Sequence, residues 1–299
     1  MRSMIGELAM RLRSVVACVA SRKPSGVAGR VPRIVVGGPV MRRRSVADRW
    51  VARSSSVLAA LAMLALVAHP ATAAAACDFD SAKTSAPNPQ QLHILLIGAS
   101  GMIGSRVLNE ATSRGHCVIA ASRHPEKIKA GANAKAVKLD ATDKDALTAA
   151  AEKVDVIVSA TSPRGGGDPA KEAKAVGDAE IAAAKASGKR LLVVGGAGSL
   201  NTPDGTPVVN TLPPNYQGEA RAMRGVLDAL KASDIDWTFF SPPMSIRPGE
   251  RTGKYQLGTT TVLYDAQKKS AISAEDFAHA LVNELEKPAH RKGQMTIAY

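Results

Sequence analysis

Three glycines spaced three residues apart have the clearest chemical meaning in this sequence. Gly98, Gly101 and Gly104 follow an apolar run and precede an amphipathic stretch, so they form a turn between a predicted strand and a predicted helix. Gly98 permits the tight turn, Gly101 lets the backbone approach a pyrophosphate, and Gly104 lets the helix pack on the strand. A glycine-rich turn without a ligand is the alternative. The predicted dinucleotide contacts in this turn are Gly98, Ser100, Gly101, Met102, Ile103 and Gly104.

The residues after the second and third predicted strands indicate which dinucleotide binds. Ser122 and Arg123 end the second strand, where an NAD site usually has an acidic residue for the ribose 2′-hydroxyl. An arginine there can pair with a 2′-phosphate, so the sequence favours NADP(H) over NAD(H). A solvent-facing loop arginine is the alternative. Asp140, after the third strand, is placed to meet the adenine or to cap the next helix.

The ends of the fourth and sixth predicted strands supply further candidate contacts. Ala160 and Thr161 lie where the nicotinamide ribose should pass, and Arg164 begins a glycine-rich loop beyond them. Pro242 follows the sixth strand at the carboxyl edge of the sheet, where ligands bind in such folds. Four residues farther along the chain either hold an anionic acceptor or form a solvated loop face: Arg247, Arg251, Lys254 and Tyr255.

Short apolar runs that alternate with amphipathic stretches position these residues. The apolar runs are nearly uninterrupted, as in strands buried on both faces of a parallel sheet: 92–99, 117–122, 136–139, 154–160, 190–196 and 236–242. Helical patterns cover 143–153, 169–187 and 220–232, a capping box at Ser273 and Asp276 begins a last helix, and a final strand closes the chain. This order predicts an α/β Rossmann fold over 92–299. Its doubly wound parallel sheet has helices on both faces and a small C-terminal substrate region.

Several separate blocks of the predicted domain resemble one known family. They are GASGMIGSRVLNEATSRGH, LLVVGGAGSL, DWTFFSPP, GERTGKYQLG and ISAEDFAHALVNELE. With these blocks the chain resembles the atypical short-chain dehydrogenase/reductase group. More narrowly, it is similar to the NAD(P)H-binding proteins called NADH-flavin reductases, near the NmrA-like regulators and the biliverdin-reductase-B-like enzymes. The resemblance implies an NAD(P)-binding Rossmann fold with a small C-terminal substrate region.

The resemblance also supplies two candidate catalytic residues. The catalytic branch of the larger family uses a serine, a tyrosine and a lysine, and the lysine lowers the tyrosine pKa for proton transfer. Ser199, after the fifth strand, and Tyr216, before the next helix, are the corresponding residues. The residue four positions after Tyr216 is Ala220 instead of lysine, and the adjacent Arg221 cannot usefully release a proton. The proton relay is incomplete, and an aromatic anchor at the helix entry is the alternative role for Tyr216.

Two functions are compatible with an incomplete relay. The first is an NAD(P)H-dependent oxidoreductase that passes a hydride from NADPH to a flat small-molecule acceptor. A flavin or a quinone takes up protons readily from solvent, so the protein need only bind and orient the two rings. The second is a non-catalytic NADP(H)-binding redox sensor or regulatory protein. Binding with acceptor-dependent oxidation of NADPH would favour the first, and binding alone would favour the second.

Composition argues against several other classes of protein. The net charge is +13, but residues 1–76 hold 12 of the 39 Lys and Arg residues and only 2 of the 26 acidic residues. The rest of the chain is nearly neutral and aromatic content is 3%, so no nucleic-acid partner is expected. Cysteine and histidine spacing suggests no metal site. Cys117 is predicted to pack in the core. A disulfide with Cys77 is the alternative in an oxidising compartment.

The basic N-terminal part has the layout of an export signal. Three arginines after Met41 precede an apolar run at 57–68, and small residues before Cys77 offer a cleavage site. The paired arginines loosely resemble a twin-arginine signal. The run is shorter than the roughly 20 residues of a membrane span, so no stable span is expected after signal removal. We expect an over-extended, disordered N-terminus at 1–40, a signal peptide at 41–76 and a linker at 77–91 in an exported protein, periplasmic or secreted.

Overall fold

The computed structural model describes residues 77–79 and 91–299 of the chain. The predicted over-extended N-terminus, the predicted signal peptide and residues 80–90 of the predicted linker lie outside the described residues. In the described part, no helix is long and apolar enough to cross a membrane. The same residues contain no cluster of three or more His, Cys, Asp or Glu side chains that could hold a metal ion.

Ten strands and five helices make up the described domain. The strands are β1 His93–Ile97, β2 Cys117–Ser122, β3 Ala134–Lys138, β4 Val156–Ser159, β5 Arg190–Val194, β6 Trp237–Ser241, β7 Ser245–Arg247, β8 Gln256–Gly258, β9 Ala271–Ser273 and β10 Gly293–Ala298. The helices are α1 Met102–Ser113, α2 Lys144–Ala151, α3 Pro169–Ser187, α4 Pro214–Ala232 and α5 Ala274–Glu286. Each strand predicted from an apolar run is present.

The main sheet has the strand order β3-β2-β1-β4-β5-β6-β10-β8, and β7 pairs with β9 in a separate two-stranded sheet. Every neighbouring pair in the main sheet is parallel except β10 with β8. The chain winds from β1 to one edge and then returns to β4, so the strand order reverses between β1 and β4. Such a reversal opens a crevice at the carboxyl ends of the strands. The predicted doubly wound α/β fold is confirmed.

Helices cover both faces of the main sheet, as predicted. α1 and α5 pack together over one core, and α2, α3 and α4 pack over the other. We call these the α1/α5 face and the α2–α4 face. β3 departs from its prediction because it begins at Ala134, two residues early, and exposes Lys135 and Lys138. An edge strand has a neighbour on one side only, so fewer of its side chains are covered.

Side-chain and proline caps set the helix ends, and two predictions about them were wrong. Ser273 accepts the Asp276 N–H at the start of α5, as predicted (2.9 Å). α4, in contrast, begins at Pro214 and not at 220, so Tyr216 lies in its first turn. Proline suits the first helical position, and this exposed turn has no apolar period to reveal it. Asp143, not Asp140, caps α2 by accepting a backbone N–H at 3.0 Å.

The segment 77–79 is attached to the domain at the amino end of β2. Cys77 and Cys117 form a disulfide, and the Phe79 side chain packs against the core of the α2–α4 face. Cys117 is therefore a buried residue and a disulfide partner at once. Because it begins β2, the disulfide lies at the opposite end of the sheet from the crevice.

The small C-terminal region between β6 and α5 carries β7, β8 and β9. Both oxygens of Glu110 on α1 accept hydrogen bonds from Arg251 in this region (2.6 and 2.7 Å). The Tyr255 hydroxyl lies 2.9 Å from Nδ1 of His279 on α5. The Arg251 side chain is half exposed, as the solvated face predicted from the sequence would be, but it is also paired with α1. Arg251 and Tyr255 thus join this region to α1 and α5.

Candidate functional site

A cavity of about 310 Å³ opens at the carboxyl ends of the central strands, on the α2–α4 face. Eight of the predicted cofactor contacts line it: Gly98, Ser100, Gly101, Ser122, Arg123, Asp140, Ala160 and Thr161. Residues of α3 and α4 that the sequence did not single out complete the lining: Glu172, Ala173, Val176, Gly177, Glu180, Met223 and Val226. The cavity lies at the reversal of strand order, where ligands bind in open α/β sheets.

Glycine is needed at the three positions of the turn for different structural reasons. Gly98 has a φ of +81°, and a Cβ on it would lie 2.7 Å from the Ala160 carbonyl oxygen. A Cβ on Gly104 would lie 2.1 Å from the Gly98 carbonyl oxygen, so the packing of α1 requires glycine there. Gly101 borders the cavity, and a Cβ on it would meet the Gly98 carbonyl oxygen at 3.2 Å. Gly101 has no side chain at the cavity, which fits a closely approaching pyrophosphate.

The amino end of α1 borders this space at Gly101. Gly101 is the N-cap, no side chain bonds to the end of the helix, and the first turn has no acidic residue. Uncapped N–H groups and the positive end of the helix dipole attract anions. Met102, Ile103 and Gly104 form the first turn of α1 and do not line the cavity themselves. The helix end as a whole fits the phosphates of a dinucleotide.

Polar side chains at the ends of β2 and β3 form the rim of the cavity. The Ser122 hydroxyl lies 2.9 Å from the Ser100 hydroxyl, which ties the rim to the glycine turn. Asp140 accepts the N–H of Thr142 (2.9 Å) and its hydroxyl (2.8 Å). These hydrogen bonds, with a smaller contribution from nearby Arg123, hold the pKa of Asp140 below its usual value. Arg123 itself is exposed at the cavity.

Glu180 on α3 forms part of the cavity floor and was not predicted from the sequence. It is 2% exposed, and burial raises its pKa to about 8 against the opposing effect of a hydrogen bond with Ser159. The Ser159 hydroxyl lies 3.1 Å from that of Thr161. The available signal was a glutamate on the core-facing side of α3, one and two turns from Val176 and Ala173.

Comparison with known proteins identifies the family. Residues 98–288 match the model of an NAD(P)H-binding family. The chain belongs to this NAD(P)H-binding family. The match begins at the glycine turn, directly after β1, and includes every other element that lines the cavity. The domain therefore has the Rossmann-like fold of NAD(P)H-binding oxidoreductases, and the resemblance to the atypical short-chain dehydrogenase/reductase group is confirmed.

Individual relatives of this NAD(P)H-binding domain each cover about 70% of the chain. The Bacillus subtilis (strain 168) protein YwnB is 37% identical in an alignment of 218 residues that covers 69% of this chain and 98% of YwnB. A Burkholderia pseudomallei structure, whose name proposes an exported protein, is 40% identical over 70% of this chain and 100% of its own, with a TM-score of 0.63. A Streptococcus pneumoniae TIGR4 structure, whose name proposes an NADH-flavin reductase, is 30% identical over 69% and 99%, with a TM-score of 0.59.

Besides the three residues in the first turn of α1, three more predicted site residues of the NAD(P)H-binding domain lie outside the cavity lining. Ser199 is 4% exposed, and its hydroxyl donates to the Gly196 carbonyl oxygen (2.7 Å) and contacts the Ser241 hydroxyl (2.8 Å). Tyr216 is 58% exposed on the first turn of α4. Pro242 is buried directly after β6. The structure therefore does not bring Ser199 and Tyr216 together at the cavity.

The glycine-rich loop between β4 and α3 borders the cavity, where the sequence predicted a loop over the site. Residues 162–163 line the cavity, and Arg164 donates two hydrogen bonds to Glu219 of α4 (3.0 and 2.8 Å). The Gly165 N–H donates to Glu172 of α3 at 3.0 Å. Two helices thus hold this loop beside the predicted path of the nicotinamide.

Proposed function

We propose that this protein is an NAD(P)H-dependent reductase that transfers a hydride from NADPH to a flavin- or quinone-like acceptor. The cavity at the strand ends carries the proposal. A helix end without a side-chain cap, a glycine turn that borders the cavity at Gly98 and Gly101, and an exposed arginine converge there. The bound nicotinamide supplies the hydride, and the chain binds and orients the two reacting rings.

The end of β2 supports a preference for NADPH. Arg123 lines the cavity where an NAD site usually has an acidic residue for the ribose 2′-hydroxyl. Its planar guanidinium suits the oxygens of a 2′-phosphate. Ser122, anchored to Ser100 of the glycine turn, offers a neutral hydroxyl beside it. The opposite preference would require a carboxylate in place of Arg123.

A flat acceptor suits a site without the serine, tyrosine and lysine relay. Tyr216 is exposed to solvent and Ser199 is engaged in buried hydrogen bonds, so neither is positioned to hold a substrate hydroxyl or carbonyl at the cavity. Flavins and quinones accept a hydride without such a grip. The name of the Streptococcus pneumoniae relative supports the same acceptor class.

The test is a titration of the purified protein with NADPH, followed by acceptor-dependent oxidation. Quenching of protein fluorescence reports binding, and the loss of NADPH absorbance after addition of FMN or a benzoquinone reports turnover. We expect saturable binding of NADPH, weaker binding of NADH, and oxidation that depends on the acceptor. A protein that binds neither dinucleotide would overturn the proposal.

A non-catalytic NADP(H) sensor is the second candidate. The position of Tyr216 outside the cavity favours it, because the family's usual proton-transfer group is then absent from the site. If NADPH binds saturably but neither acceptor oxidises it, the sensor function is favoured. A change in the protease sensitivity of the loop at 162–167 on binding would then support signalling through that loop.

We also propose that the protein is exported, with the signal at 41–76 removed. The Cys77–Cys117 disulfide supports this location, because stable disulfides belong to oxidising compartments. The name of the Burkholderia pseudomallei relative points the same way. N-terminal sequencing of the native protein tests the cleavage, and thiol labelling under denaturing conditions tests the disulfide. A mature chain that begins at Met41 or earlier would contradict the proposal.

A further inference from the structure

The cavity floor contains an acidic group that its surroundings leave uncommitted. The Glu180 side chain is 2% exposed, and its Oε1 has no hydrogen-bond partner among the described residues. A buried polar atom without a partner is costly, and proteins retain such atoms chiefly where they have a function. Glu180 also lines the cavity, so the carboxyl borders the space that the dinucleotide and the acceptor would occupy.

Two hydroxyl groups connect this carboxyl to the cavity surface. Ser159 is close enough to Glu180 to oppose the rise of its pKa, and the Ser159 Oγ lies 3.1 Å from the Thr161 Oγ1. Ser159 is 1% exposed, whereas Thr161 lines the cavity beside the predicted path of the nicotinamide ribose. A hydroxyl both donates and accepts, so a proton can pass along the pair from Glu180 to Thr161.

Glu180 carries a proton to pass on at neutral pH. Burial disfavours the carboxylate and raises the pKa of Glu180 to about 8. The neighbouring elements add apolar surface here: Met223 and Val226 from α4 and Val193 from β5. The other charged groups that line the cavity are Arg123, Asp140 and Glu172.

We propose that Glu180 supplies, through Ser159 and Thr161, the proton that accompanies hydride transfer, and that the acceptor is a quinone and not a flavin. This inference rests on the proposed reductase function. Hydride donation supplies two electrons and one hydrogen to the quinone. The quinone oxygen then takes a proton from Thr161, Thr161 takes one from Ser159, and Ser159 takes one from Glu180. Water reprotonates the Glu180 carboxylate after the hydroquinone leaves the cavity.

The need for a proton separates the two acceptor classes. Hydride transfer to a flavin gives an anionic hydroquinone that is stable in neutral water. Hydride transfer to a quinone gives a phenolate-like oxygen anion that is more basic than the reduced flavin; solvent can protonate it, but a general acid near that oxygen accelerates the step. A buried acid with a hydroxyl path to the cavity therefore favours quinone reduction and contributes little to flavin reduction.

The test compares the full-length protein with Glu180→Gln, Thr161→Val and a control, Asp178→Asn. Asp178 is on the same helix, but its side chain is 55% exposed and does not line the cavity. Rates with a benzoquinone and with FMN are measured from pH 6 to pH 9. Infrared difference spectra of the NADP⁺ complex, recorded across the same pH range, report the protonated carboxyl group independently of turnover.

We expect Glu180→Gln and Thr161→Val to lower the quinone rate on the order of 100-fold at pH 7. FMN reduction should change less than about 3-fold on the same reasoning. The wild-type quinone rate should fall as pH rises through about 8, and Glu180→Gln should remove that fall and the protonated carboxyl band. Asp178→Asn should match the wild type in every assay.

Three results would overturn the inference. Equal losses with both acceptors would assign Glu180 a structural role, and an unchanged quinone rate in Glu180→Gln would remove it from the reaction. A wild-type infrared spectrum without a protonated carboxyl band at pH 7 would exclude Glu180 as the proton donor. This result does not depend on whether the variants fold. A wild-type protein that binds NADPH but oxidises it with neither acceptor would refute the reductase function itself, which is a distinct outcome.

Discussion

Two glutamates, one on each face of the sheet, are almost equally buried but have opposite pKa shifts. Glu180 on the α2–α4 face is 2% exposed and Glu284 on the α1/α5 face is 4% exposed. Burial alone would raise both pKa values. Hydrogen bonds from His290, from backbone N–H groups and from Arg190 nevertheless hold the pKa of Glu284 below its usual value. Glu180 has one hydroxyl partner, and its pKa rises to about 8. Partners therefore decide which buried acid is charged.

The same contrast extends to the surroundings of the two glutamates. On the α1/α5 face, Glu110 forms ion pairs with Arg114 and Arg251, both at 2.6 Å, and so joins α1 to the C-terminal region. At the cavity, Arg123 is exposed and Glu180 keeps one oxygen without a partner among the described residues. These charges of the first face are bound within the fold, whereas Arg123 and one oxygen of Glu180 at the cavity remain available to a ligand.

The largest expected loss of stability comes from breaking the buried ion pair between Arg190 and Glu284. Arg190 donates to Glu284 at 2.6 Å and to Thr238 at 2.7 Å inside the domain. Arg190→Met leaves the Glu284 carboxylate buried with fewer partners, which should cost about 3–5 kcal/mol of unfolding free energy. Urea unfolding at pH 7 measures the loss. Glu180→Gln is the matched comparison and should not lower stability at pH 7; it should raise the unfolding free energy by up to about 3 kcal/mol, because the wild-type glutamate must take up a proton on folding and glutamine need not. Similar losses in both variants would erase the distinction between the two faces.

A second prediction concerns stability as a function of pH. Glu180 binds its proton more tightly in the folded state, with a pKa of about 8 against 4.5 for the ordinary carboxyl. Stability from this group is complete below pH 4.5 and falls as pH rises toward 8, by about 1.4 kcal/mol per pH unit. The difference in unfolding free energy between wild type and Glu180→Gln should show this slope between pH 5 and pH 7.

Glu284 should show the opposite dependence. Its pKa is lowered in the folded state, so its contribution is present above the ordinary range and is lost as the solution is acidified. A difference curve between wild type and Glu180→Gln that stays flat with pH would mean that Glu180 is charged in the folded protein. Glu180 and Glu284 would then have the same charge state in the folded protein, and the contrast between them would be wrong.

Most of the fold could be predicted from the sequence, because apolar runs and helix caps are local signals. The α5 cap at Ser273 and the end of α3 at Gly188 needed only neighbouring residues. The start of α4 was missed because its first turn is exposed and has no apolar period. The Cys77–Cys117 disulfide was left open because its partners are 40 residues apart and meet only in three dimensions.

The candidate site divides in the same way. The glycine turn follows from its spacing, and Arg123 and Asp140 follow from their places at strand ends. Glu180 could not be found in this manner, because its role depends on the tertiary approach of α3 to Ser159. The predicted pairing of Ser199 with Tyr216 came from the family pattern, and the exposed start of α4 keeps Tyr216 away from the cavity.

A third prediction tests whether the exposed charge at the cavity is kept for the cofactor. Arg123→Asp should weaken NADPH binding roughly 10- to 100-fold, the value of a lost charge-assisted contact, and change NADH binding by less than about 3-fold. Stability should stay nearly constant, since Arg123 is exposed. Fluorescence titration with both dinucleotides measures the ratio. Lys127→Asp is the control, because it makes the same charge change outside the cavity lining. Equal losses for NADPH and NADH would show that Arg123 does not contact the 2′-phosphate.

The smallest expected effect on stability concerns an exposed ion pair, Arg164 with Glu219. Arg164 donates two hydrogen bonds to Glu219, but the side chains are 72% and 31% exposed. Water screens such a pair, so Arg164→Gln should lower the unfolding free energy by less than about 1 kcal/mol. Because the bonds to Glu219 anchor the loop at 162–167, Arg164→Gln should change the NADPH dissociation rate more clearly than it changes stability. Stopped-flow traces should show faster dissociation. A loss of stability as large as that of Arg190→Met would show that exposure does not set the value of an ion pair here. The contrast between the two faces would then have to rest on geometry alone.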